Sequence, residues 1–353
     1  MSSSPAPTVS VLMPNHNGGV WLAEAIESLL DQTLGDLELI VVDDGSTDGS
    51  PELLLAFAGR DARVRPVCLA KVGVVAARNR ALAEARGAFI ACLDSDDIAL
   101  PGRLERQVSF LRDHPAVGIV ASRSQGIGVD GRHRGRPATS GLAPAAVKLA
   151  LERGNPIVHS SVMARADLVR RLGGYRPAFD VAEDYDLWLR ASEVSDIDIL
   201  PDTLIQSRVH AGSLTRRSAL RMAFLVRLAR RSALARRDGE PDPVDELSSS
   251  PGWAAPPAAD AFYVDDAALF HWLDQGPSGG AADAWDQAGR QALVEQLPRL
   301  TFPERRLAAE AMVAQLFGGD RVAAREARSL LWRLCRKHPR LVAIAAASLG
   351  TAV

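Results

Sequence analysis

The sequence predicts an α/β protein: a Rossmann-like, mixed but mostly parallel sheet flanked by helices, followed by a helical C-terminal region. Three observations predict it. In the first hundred residues, short and largely apolar β-branched runs alternate with amphipathic helical stretches. Two of those runs stop abruptly in clusters of acids, "IVVDDGSTDGS" and "FIACLDSDD". The last third then changes composition, from an arginine-rich stretch to an acidic Pro/Ser/Gly-rich one and on to Ala/Leu/Arg-rich helical periods.

The first strand is "VSVLM", Val9–Met13, and "PNHNGG" is the loop after it. A helix follows over about residues 20–33, because Leu22, Ala25, Ile26, Leu29 and Leu30 recur at i, i+3, i+4, i+7 and i+8 and form one buried stripe. Leu37–Val42 is the second strand, Val64–Leu69 the third after a further helix, and Ala88–Leu93 the fourth after a helix over Val74–Ala85. Strands that are apolar throughout and separated by helices argue for a parallel sheet covered on both faces. Such sheets bind ligands at the carboxyl ends of their strands. From Pro101 the pattern loosens into an α+β half. It has a helix after Pro101, a strand at Val117–Ala121, an Arg/Gly-rich loop at Gly126–Arg136 and a helix at Ala143–Arg153. The strand "SSVMAR", a helix starting near Glu183 and two short strands ending at "SRVH" complete it.

Composition excludes several classes. The chain has 353 residues, 47% hydrophobic and 24% charged, which is globular and not disordered, and a net charge of −2 gives no reason to expect nucleic acid. Cys68, Cys92 and Cys335 are odd in number and far apart, so neither a disulfide framework nor a zinc site is expected, and a reducing cytosol fits. The start "MSSSPAPT" lacks the basic and apolar parts of a signal peptide. No apolar run approaches the ~18 residues of a membrane span. A cytoplasmic protein is expected, with the inner face of the membrane as a variant of that reading. Thr215–Arg237 carries eight arginines and no acid, and Leu220, Phe224 and Leu228 give it an apolar stripe. It could therefore lie on an anionic membrane. The alternative is that it packs on the preceding half and pairs with the eleven acids of residues 238–289. Only three of the 41 basic residues are lysines, so an isolated arginine is weak evidence for a phosphate site.

The acid clusters carry the chemistry. Asp94, Asp96 and Asp97 crowd the end of an apolar strand. Like charges about 4 Å apart repel by roughly 4 kcal/mol at an effective dielectric near 20. A divalent cation would offset this, and hard oxygen ligands suit Mg2+ or Mn2+; a solvated turn is the other explanation. Asp43 and Asp44 either cap the next helix or accept donors from a nucleoside. Asp184 shares a helical face with Leu187, Trp188 and Ala191 and should point inward. A helix N-terminus favours its carboxylate form, as a general base requires.

Four stretches, "VSVLMPNHNG", "IVVDDGSTDGS", "GVVAARNRALAEARGAFIACLDSDD" and "NPIVHSSVMARADLVRRLGGYRPAFDVAEDYDLWLR", occur in this order over about residues 8–213. Together they resemble the family 2 glycosyltransferases, which have a GT-A fold. The resemblance implies metal-dependent, inverting transfer of a sugar from a nucleotide diphosphate sugar, UDP-linked by preference, to an acceptor hydroxyl, in polysaccharide or glycoconjugate synthesis. It implies Mn2+ or Mg2+ as cofactor, and a saccharide or lipid-linked saccharide as acceptor. Position by position, Pro14 and His16 border the base, with many members having Tyr where His16 stands, and Asp44 pairs with the base edge. Arg78 lies near the nucleotide. Asp94 and Asp96, with Ser95 between them, form the D-x-D pair for ribose and metal; Asp97 is an extra acid sharing either role. His210 reaches the diphosphate or metal. Glu183 and Asp184 match the family's acidic pair, whose aspartate is the base, with Asp186 structural and Gly173-Gly174-Tyr175 forming the turn that returns the chain to the sugar. Trp188 is expected on the acceptor side, and His159, a lone histidine after an apolar run, either lines the acceptor pocket or packs within its loop. The implied organisation is a tail at 1–7, a nucleotide-sugar-binding half at 8–105, an acceptor-binding half at 106–215, and a mainly helical region at 216–353 with a linker near 238–262. Two rivals are a GT-A-like scaffold that binds without turnover and a phosphoacceptor receiver domain. Receivers are much shorter and need a lysine after an apolar strand, which neither Lys71 nor Lys148 supplies.

Overall fold

The computed structural model describes residues 5–135, 137, 141–210 and 218–252, with Asp266, Phe270 and Arg305. In the first half, strands β1 (Val9–Asn15), β2 (Leu37–Asp44), β3 (Val64–Leu69) and β4 (Phe89–Cys92) alternate with helices α1 (Leu22–Leu30), α2 (Ser50–Arg60) and α3 (Val74–Glu84). The second half contains β5 (Ile98–Ala99), α4 (Arg103–Asp113), β6 (Val117–Ile127), α5 (Pro144–Leu151), β7 (Met163–Arg165), α6 (Ala166–Arg171), α7 (Glu183–Val194) and β8 (Asp196–Arg208). All eight strands share one sheet in the order β3-β2-β1-β4-β7-β6-β8-β5. The four strands of the first half are mutually parallel; β7 runs antiparallel to both β4 and β6, and β8 is parallel to β6.

Register delivers the acids to one edge. Val9 pairs with both Leu37 and Phe89, which brings Asn15 opposite Asp43 and lets β4 run out beside them towards Asp94. β1 and β2 are buried along almost their whole length because each has a strand on both sides and helices over both faces. The stripe of α1 packs as its spacing requires, with Leu22, Ala25, Ile26 and Leu29 buried and Leu30 at the margin. Each of Leu22, Ile26 and Leu29 contributes about 1.5–3 kcal/mol on burial.

The second half departs from its expected outline in ways the chemistry explains. The two short strands ending at "SRVH" are one strand, β8, whose pairing with β6 slips between Ser122 and Ser124. Pro201 falls in that slip, and a residue without an N–H is tolerated at such a bulge. β6 continues to Ile127, past the expected end at Ala121, while β5 and α6 were not foreseen. α7 is buried on nearly every side and not on one face. Its Asp186 is fully buried because Arg176 and Arg190 both pair with it, so charge does not mark a solvent face there.

The chain divides into two compact units, residues 1–217 with 229–249, and residues 218–228 with 250–353. Residues 229–249 thus belong with the sheet, not with a separate C-terminal region beginning at 216. Helix α8 (Ala219–Asp238) carries most of the arginine-rich stretch. Phe224 and Leu228 of its apolar stripe are buried, only 2% and 3% exposed. Its arginines pair with acids: Arg236 with Glu193 and Asp242, Arg237 with Glu152, and, within the second unit, Arg227 with Asp266. Among the described residues no helix is long and apolar enough to cross a membrane. Residues 1–4 of the expected tail, Cys335 and most of the Ala/Leu/Arg-rich stretch lie outside the described residues.

At the amino end of the parallel strands a polar knot closes the sheet. Glu38 in β2 accepts from the Ser10 hydroxyl at 2.6 Å, from Arg65 at 2.6 Å and from both the side chain and the backbone N–H of Arg86. Burial alone would raise its pKa, but the Ser10, Arg86 and Arg65 bonds outweigh it and lower the value from 4.5 to about 2. A depressed carboxylate stabilises the fold above its unfolded pKa and loses that contribution as pH falls towards the folded one, here between about 4.5 and about 2. The difference is worth about 3 kcal/mol at neutral pH. Glu38→Gln is expected to lower the thermal midpoint at pH 7 and to flatten its decline between pH 5 and pH 3. Parallel decline in both proteins, followed by circular dichroism, would contradict the assignment.

Candidate active site

The carboxyl edge is built first from the loops after β1 and β2. Asp43 is buried and turned to architecture: it accepts from Asn15 Nδ2 at 2.7 Å and from the hydroxyl and amide of Ser46. Asn17 adds two further ties, donating its N–H to Ser46 and accepting from the Thr47 amide. Asp44 accepts the backbone N–H of Val72 at 2.6 Å on one oxygen and that of Gly73 at 2.9 Å on the other. It thereby holds the loop leading into α3. Gly45 permits this close approach, since a Cβ there would stand 2.9 Å from the Lys71 amide nitrogen at a φ of +68°. His16 lies exposed on this edge with Nδ1 2.9 Å from the Asp44 carbonyl oxygen, and the Lys71 ammonium meets its Nε2.

The three aspartates after β4 are sorted into three environments. Asp94 is about a third exposed and bonded to Arg78 Nη2 at 2.9 Å. Burial opposes its charge, but the Arg78 guanidinium and the ring of His159 prevail and hold it well below the usual carboxylate range. Asp96 is partly exposed, and its Oδ2 lies 2.8 Å from His210 Nε2. Burial first, and then the Asp94 charge, push its pKa up against the pull of His210. Asp97 turns inward, where it accepts the backbone N–H of Arg208 at 2.8 Å. Burial raises its pKa well above the ordinary value, with Asp96 and Asp94 adding to the effect. Arg208 spreads its side chain to Glu24, Gly128 and the Asp96 carbonyl and lies over the Trp21 ring. The end of β8 is thus braced where His210 reaches Asp96.

Across from this edge, every residue of the first turn of α7 is held by a different group. Glu183, buried, pairs with Arg78 Nη1. Asp184, partly exposed, accepts from Asn155 Nδ2 at 2.9 Å and from the Tyr185 amide at 2.7 Å. Tyr185 donates its hydroxyl to the Leu151 carbonyl, and Asp186 takes Arg176 and Arg190. Burial, followed by the charge of Asp184, pushes the Glu183 pKa up to about 7 against the pull of Arg78. Arg78 itself stays charged: burial opposes this, and Glu183 and Asp94 more than offset it. One buried guanidinium therefore joins the end of β4 to the start of α7.

Comparison with known proteins shows the family and the fold. The sequence model of the family described as Glycosyl transferase family 2 matches residues 10–168. "Putative glycosyltransferase EpsE" of Bacillus subtilis is 36% identical over 191 residues, 53% of this chain and 67% of EpsE. "Uncharacterized glycosyltransferase MJ1057" of Methanocaldococcus jannaschii is 30% identical over 207 residues, 58% of this chain and 71% of that protein. The chain belongs to the family 2 glycosyltransferases. Its fold is the GT-A fold of S. aureus TarS residues 1–349, solved with UDP-GlcNAc, at a TM-score of 0.55, 18% identity and coverage of 94% and 92% of the two chains.

Within this glycosyltransferase the structure gathers Pro14, His16, Asp44, Asp94, Ser95, Asp96 and His210 at the carboxyl edge, and Arg78 links Asp94 to Glu183, the neighbour of Asp184 in α7. It moves others away. Trp188, expected against the acceptor, is 1% exposed and packs in the core. His159 is stacked on Trp188, with Nε2 3.0 Å from the Tyr175 hydroxyl and Nδ1 3.7 Å from Asp94, so it underlies the acid and does not line an open pocket. Asp97 leaves the proposed metal set because its carboxylate serves β8. Among the described residues no three His, Cys, Asp or Glu side chains converge as a cation cage. The pair Asp94 and Asp96 still fits Mg2+ or Mn2+, which are held by one or two carboxylates together with substrate phosphates and not by an all-protein cage. Asn155 and Asn79 were missed by sequence reasoning. Asn79, which grips Tyr175 by both N–H and carbonyl, sits beside Arg78 in "ARN", the one signal available.

The inward role of Asp97 is testable. Asp97→Ala leaves the buried Arg208 N–H without an acceptor, a loss of about 1–3 kcal/mol, and its thermal midpoint is expected to fall by several degrees. Asp97→Asn keeps an acceptor oxygen and is expected to stay close to the parent. Equal midpoints for the two variants would contradict the assignment.

Proposed function

We propose that the chain is a metal-dependent, inverting glycosyltransferase that moves a sugar from a nucleoside diphosphate sugar, UDP-linked by preference, to an acceptor hydroxyl in polysaccharide or glycoconjugate synthesis. The observation that carries this reading is the bridge of Arg78, with Asp94 on one arm and Glu183 on the other. It sets a donor-side carboxylate and an acceptor-side acidic pair on a common support.

The roles follow from environment. Asp44 holds the Val72–Gly73 loop and His16 lies beside it, giving the base a firm edge to rest against. Asp94 and Asp96 would hold Mn2+ or Mg2+, which when bound neutralises charge developing on the departing diphosphate. Asp184 is the base: it is partly open to solvent, ordered by Asn155 and sited in the first turn of α7. It takes the acceptor hydroxyl proton as that oxygen attacks the anomeric carbon opposite the diphosphate. A single displacement of this kind inverts the anomeric centre. Glu183, buried against Arg78, supports the base and does not receive the proton.

A thermal-shift screen of nucleotide sugars with Mn2+ tests the donor, and the complex of TarS with UDP-GlcNAc makes UDP-sugars the first to try. Selective stabilisation by one donor is expected; failure to bind any nucleotide sugar removes the reading. Binding without hydrolysis or transfer of any donor would favour a GT-A-like scaffold instead. Asp184→Asn is expected to lower turnover by about 10²–10⁴-fold while nucleotide affinity stays near the parent value. Parent turnover in that variant would take the base role from Asp184.

A further inference from the structure

The first turn of α7 is held from behind by a part of the chain that lies outside the family match, which ends at residue 168. Arg176 follows the turn at Gly173–Tyr175 and uses all five of its N–H donors. Nε and Nη2 hold the two oxygens of Asp186; Nη1 donates to Asp242 at 2.7 Å and to Asp245 at 3.2 Å; Nη2 also donates to the Ser232 hydroxyl at 2.9 Å. Asp242 is itself buried among donors, taking the Ser232 hydroxyl, Arg236 and the Val244 amide as well. Arg190, one helical turn beyond Asp186, bonds to it at 2.9 Å and to the carbonyls of Leu172 and Gly174. Gly174 has a φ of +70° and packs so closely on Asn79 that a Cβ would stand 2.6 Å from its Oδ1. The turn therefore has little freedom to follow if the ion network is cut.

We propose that Asp242 and Arg176 are positioning residues for the reaction centre, fastening the segment after α8 to Asp186 and so setting where Glu183 and Asp184 stand. The proposal rests on the roles given to that pair above. Asp184 and Asp186 lie in one helical turn, so a tilt of the turn at Asp186 carries Asp184 with it. Arg190 holds Asp186 from within α7, and two arginines from outside the helix reach this turn, Arg78 at Glu183 and Arg176 at Asp186, so neither of these alone defines its tilt. The chemistry is suited to the task. A guanidinium offers five donors in a rigid plane, and here it links three separate pieces of chain. A shift of about 1 Å at a reacting group costs on the order of 10²-fold in rate, so a clamp remote from the substrate can still govern turnover.

The test uses the full chain with Asp242→Asn, Asp242→Ala and Arg176→Lys, each compared with the parent. Two readouts are taken: turnover and KM for UDP-GlcNAc or whichever donor the thermal-shift screen selects, and hydrogen exchange of the amides of residues 183–188. In Asp242→Ala the kcat is expected to fall about 10- to 100-fold with the donor KM within about twofold. Asp242→Asn, which keeps an acceptor oxygen, should recover part of the loss. Combining Asp242→Ala with Asp184→Asn should add nothing further, because the clamp acts through Asp184. Exchange should quicken at 183–188 and stay unchanged in β1 and β2. Parent kcat in a folded Asp242→Ala, or a donor KM that rises in step with the fall in kcat, would overturn the proposal. If the parent protein turns over no donor, the proposed activity fails, and the exchange readout alone decides the clamp: unchanged exchange at 183–188 overturns it, and local quickening upholds it.

Discussion

The site depends on one buried cation. Arg78 is 7% exposed, and taking a guanidinium out of water is costly unless its surroundings repay that cost in charge and hydrogen bonds. Asp94 and Glu183 do so from opposite sides, one from the end of a strand and the other from the start of a helix. The interaction is structural before it is chemical. A lysine could satisfy one carboxylate as a point charge, but two acids on different elements need two separate arms in a fixed plane. Because the arms cannot move independently, the end of β4 and the start of α7 are brought to a defined relation by one side chain.

The same logic sorts the aspartates that follow β4. Three adjacent acids cannot all be ionised cheaply, and the protein resolves this by giving each a different partner. Asp94 has an arginine and stays charged; Asp97 is withdrawn into the protein and has its affinity for a proton raised; Asp96, between them, faces His210. Environments that drive neighbouring carboxyls apart mark a division of labour. Here the division is between one acid that supports the fold and two that remain at the surface.

Much of this was legible in the sequence where the signal is local. The parallel half was readable because each strand is a short apolar run and each helix a single stripe; Val64–Leu69 coincides with β3, and the other strands differ only at their ends. Reading failed where long-range pairing reverses the meaning of a residue. The stretch ending at "SRVH" reads as two short strands, yet the sheet keeps it as one by absorbing Pro201 in a bulge. The helix from Glu183 reads as having one inward face, yet Asp186 and Arg190 pair inside the protein and α7 is buried on nearly every side. Trp188 shares a face with Asp184 by spacing, but periodicity says only that a residue points inward, not whether inward means a cleft or the core. Asp44 stood at the right edge, and nothing in its neighbours disclosed that two backbone amides would meet both its oxygens.

The knot around Glu38 has a consequence for the opposite end of the sheet. Ser10, Glu38, Arg86 and the Gly87 amide tie β1, β2 and the entry to β4 together, so these three strands cannot slide along one another. A slip of two residues would preserve which side chains face the core, so apolar packing alone is a weak guard against it. It would nevertheless carry Asp43 and Asp44 about 7 Å along the strand direction relative to Asp94. The spacing between the two acid clusters is thus gauged at the far rim of the sheet, by residues that never approach a substrate.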